Sequence, residues 1–543
     1  INIDDIILKH KHLEKYIPLV NNKRVSPKLW ELPNRKHFYN WLSDEFSQYE
    51  ETNTNIQSKP ETPRIENQVT LNNIQRLTRD YLQGESPVKG LLLYIGLGHG
   101  KTCAAITIAE AILTKKDVIV ISKTNLENNF RKEIRKCGSD YFKIINHWVF
   151  SKCDNVGELA LAKELGITTK SIIENGGAFF IDFTNNKSNY DDLTMTNRNK
   201  LDNQINHMVN KKFTFLHSDG RFLNKVKDGD FDNKVIIVDE IHNIGNTMNT
   251  KSISAAKYYK LFMEAQNTKY IFLSGTPIIN QIIEISKIYN ILRGYMNVLE
   301  IKFKTLYDIG QNIDYNNIKY ILKKNEHIDQ IIIDKTRKLI KITKNPDNFI
   351  TDVKGKGIVY KPESTINFNE FRDMIVKTIQ VMGYKISIEE RKETCFPEDK
   401  DEFERKFYNP ELNKLKNIDL IKRRIVGLTS YFGYQDKNLY PELLPINTVS
   451  VPMSLYQLSK YEKYRHEEIQ DDKNKKRKDD KDSNVSSSYR IYSRFACSYV
   501  FPDEIGSPYD NKEFKDKILQ VETLSEHLED FTLSPEEMDA MSK

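Results

Sequence analysis

The chain reads as an α/β protein: a parallel sheet covered by helices on both faces. Three observations predict this class. Four short apolar runs, Gly90-Leu91-Leu92-Leu93-Tyr94-Ile95, Val118-Ile119-Val120-Ile121, Val235-Ile236-Ile237-Val238 and Tyr270-Ile271-Phe272-Leu273, each end in small or polar residues. Runs that are apolar on both faces suit strands buried between layers of helix. The first run leads into glycines and then a helical stretch from Lys101 to Leu113, giving strand, loop and helix in succession. The 543 residues are also enough for about three or four units, each burying a core of its own.

Composition narrows the class further. With 82 basic and 76 acidic residues the net charge is +6, too slight for this length to imply a nucleic-acid partner by itself. The five cysteines form no CxxC or Cys/His pattern, so neither a disulfide framework nor a zinc site is predicted, and a reducing compartment fits. No apolar run approaches the roughly 18 to 20 residues of a membrane span, and the first ten residues carry charges where a signal peptide would be apolar. No membrane partner is predicted.

The domain reading runs as follows. Residues 1–66 form a small helical preface and a linker containing Pro60 and Pro63. Residues 67–300 form the α/β lobe, with an insertion at about 137–234 that holds an Asn-rich polar segment. Residues 301–445 form a helical or mixed accessory region, and the charged periodicity of about 285–345 predicts helices. Residues 446–543 form an inter-lobe region, with a disordered loop over 471–488 where Lys and Asp dominate.

The strongest chemical signal is Ile95-Gly96-Leu97-Gly98-His99-Gly100-Lys101-Thr102. Glycines let backbone N–H groups turn toward phosphate oxygens, and the helix N-terminus adds partial positive charge. Lys101 reaches the terminal phosphates and Thr102 can ligate Mg²⁺. This is a P-loop, with Gly98, His99, Gly100, Lys101 and Thr102 as its nucleotide-binding residues; the strict pattern has Gly where Ile95 stands. The alternative is a glycine turn that only caps a helix. Next comes Val238-Asp239-Glu240-Ile241-His242, at the end of an apolar strand. Asp239 can hold Mg²⁺, Glu240 can orient or deprotonate the attacking water, and His242 can link the nucleotide site to the rest of the molecule. Ser274-Gly275-Thr276-Pro277 ends the fourth run, where small hydroxyl residues can relay the state of the phosphate.

Taken in this order, the three segments resemble motifs I, II and III of superfamily 2 helicases, in the manner of the SNF2-like, DExH helicases of nucleocytoplasmic large DNA viruses. Poxvirus early-transcription and nucleoside triphosphatase proteins and African swine fever virus helicases belong there. Asn73-Ile74-Gln75 resembles the segment whose glutamine reads adenine, and Ser122-Lys123-Thr124-Asn125-Leu126 resembles motif Ia, whose loop touches the nucleic-acid backbone. Lys422-Arg423-Arg424-Ile425-Val426-Gly427-Leu428-Thr429-Ser430-Tyr431-Phe432 is similar to a further stretch of those viral helicases. The resemblance implies a RecA-like lobe that uses ATP and Mg²⁺, with Lys101, Asp239, Glu240 and His242 catalytic, Gln75 on adenine, and Lys123, Thr124, Ser274, Gly275 and Thr276 touching nucleic acid or coupling to it. It also implies duplex DNA as the track, a role in viral transcription, and a place in the host cytoplasm or virion core, with viral RNA polymerase as a possible partner.

One departure stands out. The family's last motif, Gln-x-x-Gly-Arg-x-x-Arg, is not found, and the residues after Phe501 are too few for a second RecA-like lobe. The prediction is therefore of a first lobe that hydrolyses ATP poorly until a second-lobe polypeptide supplies arginines. The rival reading is a non-catalytic nucleotide-binding scaffold within a viral assembly.

Overall fold

A computed structural model of the chain describes residues 6, 8–18, 24–33, 35–49, 71–96, 98, 100–112, 116–218, 226–249, 253–279, 281–304, 313–432, 447–478 and 491–503. The chain divides into two compact units. The larger comprises residues 1–218, 226–250 and 255–433; the smaller is mainly residues 434–543.

The larger unit holds a six-stranded, all-parallel sheet. In chain order its strands begin with β1 (Gly90–Ile95) and β2 (Asp117–Ser122). An insertion then contributes an antiparallel pair, β3 (Trp148–Ser151) and β4 (Ala178–Ile181). The main sheet resumes with β5 (Phe213–His217), β6 (Lys234–Val238) and β7 (Lys269–Ser274). A second, antiparallel sheet follows, built from β8 (Met296–Phe303), β9 (Ile328–Asp334), β10 (Leu339–Lys344) and, later, β13 (Ile386–Glu393) in the order β13-β8-β10-β9. Short pairs are β11 (Phe349–Thr351) with β12 (Ile358–Tyr360) and β14 (Tyr408–Asn409) with β15 (Lys414–Leu415). Finally β16 (Thr429–Phe432) returns to the main sheet, whose order is β16-β1-β7-β6-β2-β5.

All six side chains of β7, and residues 235–238 of β6, are buried. That is what a parallel strand covered on both faces requires. Helices Asn73–Tyr81, Lys101–Ile112 and Thr124–Cys137 pack in sequence with one another, while Ile241–Met248 packs against Glu284–Arg293. This is the α/β, RecA-like arrangement expected of the lobe.

Two of its strands are not evident in the sequence. β5 pairs in parallel with β2 from Val118–Phe213 to Ser122–His217. β16 pairs with β1 from Leu92–Thr429 to Ile95–Phe432, so one edge of the nucleotide-binding sheet arrives more than 150 residues after β7. Its entry needs Gly427, at φ +73°, where a Cβ would fall 2.7 Å from Pro33 and 2.8 Å from the Tyr81 hydroxyl. Tyr81 Oη donates to the Gly427 carbonyl at 2.9 Å across this close approach.

The expectation of helices throughout 285–345 is corrected. Helices Glu284–Arg293 and Tyr315–Leu322 are present, but β8, β9 and β10 occupy most of the remainder. Charged residues alternate there with Ile and Leu at period two, as in Leu339-Ile340-Lys341-Ile342-Thr343-Lys344, and that spacing belongs to a half-exposed strand. The Asn-rich segment is also ordered, as helix Met195–Lys212, because Leu201, Ile205, Met208 and Val209 make one buried stripe. In the smaller unit, helix Leu455–Lys478 covers the first eight residues of the segment expected to be a disordered loop; 479–488 lie outside the described residues.

The N-terminal preface is part of the larger unit. Trp30 and Ile358 exchange backbone hydrogen bonds of 2.8 and 2.9 Å, and Tyr49 Oη donates to Asp80 at 2.6 Å. Residues 51–70, which include the expected linker, lie outside the described residues. The cysteine expectation is corrected too: Cys103 and Cys137 form a disulfide with Cα atoms 5.4 Å apart. Their 34-residue separation shows no motif; the packing of helix Lys101–Ile112 against helix Thr124–Cys137 brings them together.

Candidate nucleotide site

The site lies where adjacent parallel strands end. β1 runs into the P-loop, where Gly98 and Gly100 take φ of +77° and +76°. Left-handed backbone at two positions suits glycine and lets the amides turn inward ahead of the helix that starts at Lys101. His99 lies outside the described residues. Thr102 is half-buried in the first turn of the helix.

Gln75 reaches the P-loop from the preceding helix, its Nε2 donating to the Gly100 carbonyl at 3.3 Å. Its Oε1 accepts from the Asn72 amide at 3.0 Å, and its own amide donates to Asn72 Oδ1 at 2.8 Å, completing a capping box. Gln75 is thus buried and held at both ends of its side-chain amide, tying the helix start to the P-loop.

The acidic pair follows β6. Asp239 N donates to the Ile121 carbonyl at 2.9 Å, which extends the β2–β6 ladder and seats the carboxylates at the sheet's rim. Glu240 has φ +49°, a left-handed conformation that costs a non-glycine residue about 1–3 kcal/mol and that accumulates at functional sites. Its carboxylate accepts from Lys101 Nζ at 3.1 Å through Oε1, while Oε2 stands 3.3 Å from His242 Nδ1. His242 Nδ1 also lies 3.0 Å from Ser274 Oγ. A carboxylate only accepts, so one proton on Nδ1 serves both contacts. Ser274 is fully buried at the end of β7, and its Oγ accepts from the Thr276 amide at 3.0 Å. A Cβ on Gly275 would sit 3.6 Å from Lys101 Nζ, which places the third motif directly beside that ammonium.

The structure thus brings Lys101, Asp239, Glu240, His242, Ser274, Gly275 and Thr276 into one continuous polar chain. Its electrostatics are uneven. Burial raises the Asp239 carboxyl above its ordinary range and neighbouring Glu240 raises it further, with Lys101 opposing. Burial lowers the His242 imidazole, Glu240 opposes this, and Lys123 and Lys101 lower it further. Lys123 and Thr124 are exposed at the start of helix Thr124–Cys137, close enough for the Lys123 charge to be felt at His242.

One residue escaped the sequence reading. Glu284, buried at 2 % exposure, accepts from the backbone amides of Ile279 at 2.9 Å and Gln281 at 2.8 Å, and so anchors the loop that follows Thr276. An acid that opens an apolar helical stretch a few residues after Ser-Gly-Thr-Pro was the available signal.

Residues 85–279 match the family described as type III restriction enzyme, res subunit, a span that runs from just before β1 to the loop after β7. Three proteins of Acanthamoeba polyphaga mimivirus, each named provisionally as an ATP-dependent RNA helicase, are also similar. One is 23% identical over 501 residues, covering 90% of this chain and 42% of its own length. The others are 25% identical over 47% of this chain and 38% of their own length, and 26% identical over 40% and 19%. The chain therefore spans less than half the length of these curated relatives.

Residues 85–279 are thus similar to a helicase-family domain, and the lobe is similar to the ATPase lobe of superfamily 2 helicases. In this lobe the three motif segments sit at the C-terminal ends of β1, β6 and β7, the end of an open parallel sheet where ligands bind.

Proposed function

We propose that the lobe binds Mg²⁺–ATP at the P-loop and couples its hydrolysis to movement along, or remodelling of, a nucleic-acid duplex. The observation that carries this reading is the 3.1 Å pair between Lys101 and Glu240, with Gly275 beside it, at the ends of β1, β6 and β7. In this reading Gly98 to Thr102 cradle the phosphates, Lys101 leaves Glu240 for the terminal phosphate, and the freed carboxylate orients the attacking water and takes its proton. Gln75 braces the P-loop at the side where adenine would lie. Products are ADP and phosphate.

The residues present fit a hard cation. Thr102 and Asp239 offer oxygen donors, and the half-buried Asp239 carboxyl, raised by burial and then by neighbouring Glu240, gains from a compensating positive charge. Among the described residues no group of three or more His, Cys, Asp and Glu could hold a metal. When bound, Mg²⁺ would neutralise charge on the phosphates.

The coupling path we propose runs from Glu240 through His242 and Ser274 to Thr276, with Lys123 and Thr124 on the nucleic-acid backbone. The motif resemblance favours duplex DNA as the track and a role in viral transcription, in the host cytoplasm or virion core, with a viral polymerase or a second-lobe polypeptide as partner. The names of the mimivirus relatives favour RNA. The test is ATP binding and hydrolysis measured with no nucleic acid, with duplex DNA and with duplex RNA, on the wild type and on Lys101→Ala. Loss of ATP binding in the variant, and stimulation of the wild type by one duplex, supports the reading. Equal ATP affinity in the two proteins refutes the P-loop assignment, and a rate indifferent to both duplexes refutes coupling.

A further inference from the structure

The helix that opens at Lys101 carries a covalent tie that the nucleotide chemistry does not use. Cys103, two residues after Lys101 and one after Thr102, is bonded to Cys137, the last residue of helix Thr124–Cys137. The bond therefore joins the first turn of the P-loop helix to the helix whose N-cap is Lys123. Cys153, Cys395 and Cys497 are free thiols, so no disulfide framework surrounds it. Cross-links replace a core in small disulfide-dense scaffolds, and a lobe with a six-stranded buried sheet has no such need.

Both helices are held without the bond. Phe130 and Ile134 of helix Thr124–Cys137 are buried, and the Arg131 guanidinium lies 4.2 Å from the centre of the Phe215 ring on β5. Glu127 stands 2.7 Å from Arg131 and 2.9 Å from His217 Nε2, and Arg135 pairs with Asp202 at 3.0 Å. The P-loop end has its own tie, from Gln75 Nε2 to the Gly100 carbonyl. The surroundings also accept either oxidation state. Cys103, at 5 % exposure, belongs to a buried run with Ala104, Ala105 and Ile106, where a free thiol behaves as a small apolar side chain. Cys137 is half-buried, and its Sγ lies 3.8 Å from Glu133 Oε2, an acceptor already in place for a thiol proton. Access is thus unequal, and a thiol from solvent meets Cys137 first.

We propose that Cys103 and Cys137 form a reversible redox latch on the nucleotide site, with Cys137 as its point of exchange with a low-molecular-weight thiol. A thiolate RS⁻ attacks Cys137 Sγ, the bond to Cys103 breaks, and Cys103 leaves as a thiolate that takes a proton from water. A second RS⁻ attacks the RS sulfur now bound to Cys137, releasing RSSR and a Cys137 thiolate that is protonated in turn. In sum, one protein disulfide and two RSH give two protein thiols and RSSR; the protein is reduced by two electrons, the small thiol is oxidised by two, and the reverse closes the latch. The latch acts through the turn that it pins. Lys101 and Thr102 stand in that turn, and Gly98 and Gly100 ahead of it are already in left-handed backbone. A closed bond removes freedom from the turn before ATP arrives, so binding gives up less conformational entropy; in the open form that cost returns. The closed form should bind ATP about fivefold more tightly, and by reciprocity ATP should favour the closed form by the same factor.

The latch rests on the P-loop reading above, and the experiment tells their failures apart. The full chain is equilibrated at a series of glutathione to glutathione disulfide ratios, with and without ATP, and free Cys103 and Cys137 are alkylated and counted by peptide mass. ATP affinity is measured on oxidised and reduced wild type, on Cys137→Ser, and on Cys497→Ser as a control for the exposed thiol. Oxidised wild type should bind about fivefold more tightly than reduced, and reoxidation should restore the difference. Cys137→Ser should keep the reduced value in both buffers, Cys497→Ser should follow wild type, and saturating ATP should raise the midpoint [GSH]²/[GSSG] about fivefold. Affinities within twofold in the two states, a midpoint indifferent to ATP, or a bond that opens at no glutathione ratio overturns the latch and leaves the P-loop reading standing. Loss of the far-UV circular dichroism of the chain on reduction makes the bond a structural staple and overturns the latch as well. ATP bound in neither state refutes the P-loop reading, and the latch with it.

Discussion

Replacing Glu240 by Gln separates holding from hydrolysis. In the structure the Glu240 carboxylate binds Lys101 Nζ at 3.1 Å, with the two side chains only 25 % and 10 % exposed. At that distance the bare attraction is about 5 kcal/mol for an effective dielectric of about 20. Most of it is cancelled by desolvation, leaving about 1–3 kcal/mol, as for hydrogen bonds to charged groups. ATP must draw Lys101 away from this partner. Glutamine keeps the shape and an accepting oxygen but not the charge, so ATP affinity should hold or improve, by about fivefold for each 1 kcal/mol released. The hydrolytic step moves the other way. Loss of a positioned base costs about 10²–10⁴ in rate, or about 3–5 kcal/mol of barrier. Calorimetric ATP titration together with single-turnover release of phosphate measures both arms. A hydrolysis rate within threefold of wild type refutes the role given to Glu240. Affinity weakened by more than tenfold refutes the competition for Lys101.

Three further outcomes follow from the same geometry. Asp239→Asn should stabilise the nucleotide-free protein at neutral pH while impairing Mg²⁺-dependent hydrolysis. Because the folded carboxyl titrates above its ordinary 3.8, its contribution is most favourable below that value and is lost as pH rises through the raised one, so the variant's gain in melting temperature should shrink on acidification. A gain independent of pH refutes the burial argument. Ser274→Ala, which removes the acceptor of the Thr276 amide and the partner of His242, should leave basal hydrolysis within about threefold and cut nucleic-acid stimulation about tenfold or more. Stimulation intact in that variant removes Ser274 from the path. Cys137→Ser opens a link across 34 residues and should cost up to about 4 kcal/mol of stability under non-reducing conditions, with wild type and variant converging in reductant. Identical non-reducing melts refute a stabilising role.

The strand-turn-helix around Lys101 could be read directly because its parts are contiguous: glycines, ammonium and hydroxyl must lie within a few residues to wrap a phosphate. Asp239 with Glu240, and Ser274 to Thr276, were legible as strand ends because unbroken apolar runs precede them. The Glu240 bridge to Lys101 and His242 was not, since it depends on which strands become neighbours. Gln75 stood out for its place before the P-loop, but its grip on the Gly100 carbonyl and its capping box are properties of packed helices. Around 285–345, short Ile-rich strands carry as many charges as an exposed helix, and their period of two became decisive only when β8 and β10 supplied the pairing edges.

By itself, then, the sequence determined the chemistry of the three motif segments and the parallel α/β class, because short-range spacing and apolar runs dictate both. Tertiary structure alone decided that β5 and β16 complete the sheet, that Cys103 meets Cys137, and that Glu284 secures the loop after Thr276. Each of these is a meeting of residues far apart in the chain, and such meetings follow from the register and packing of the whole rather than from any local pattern.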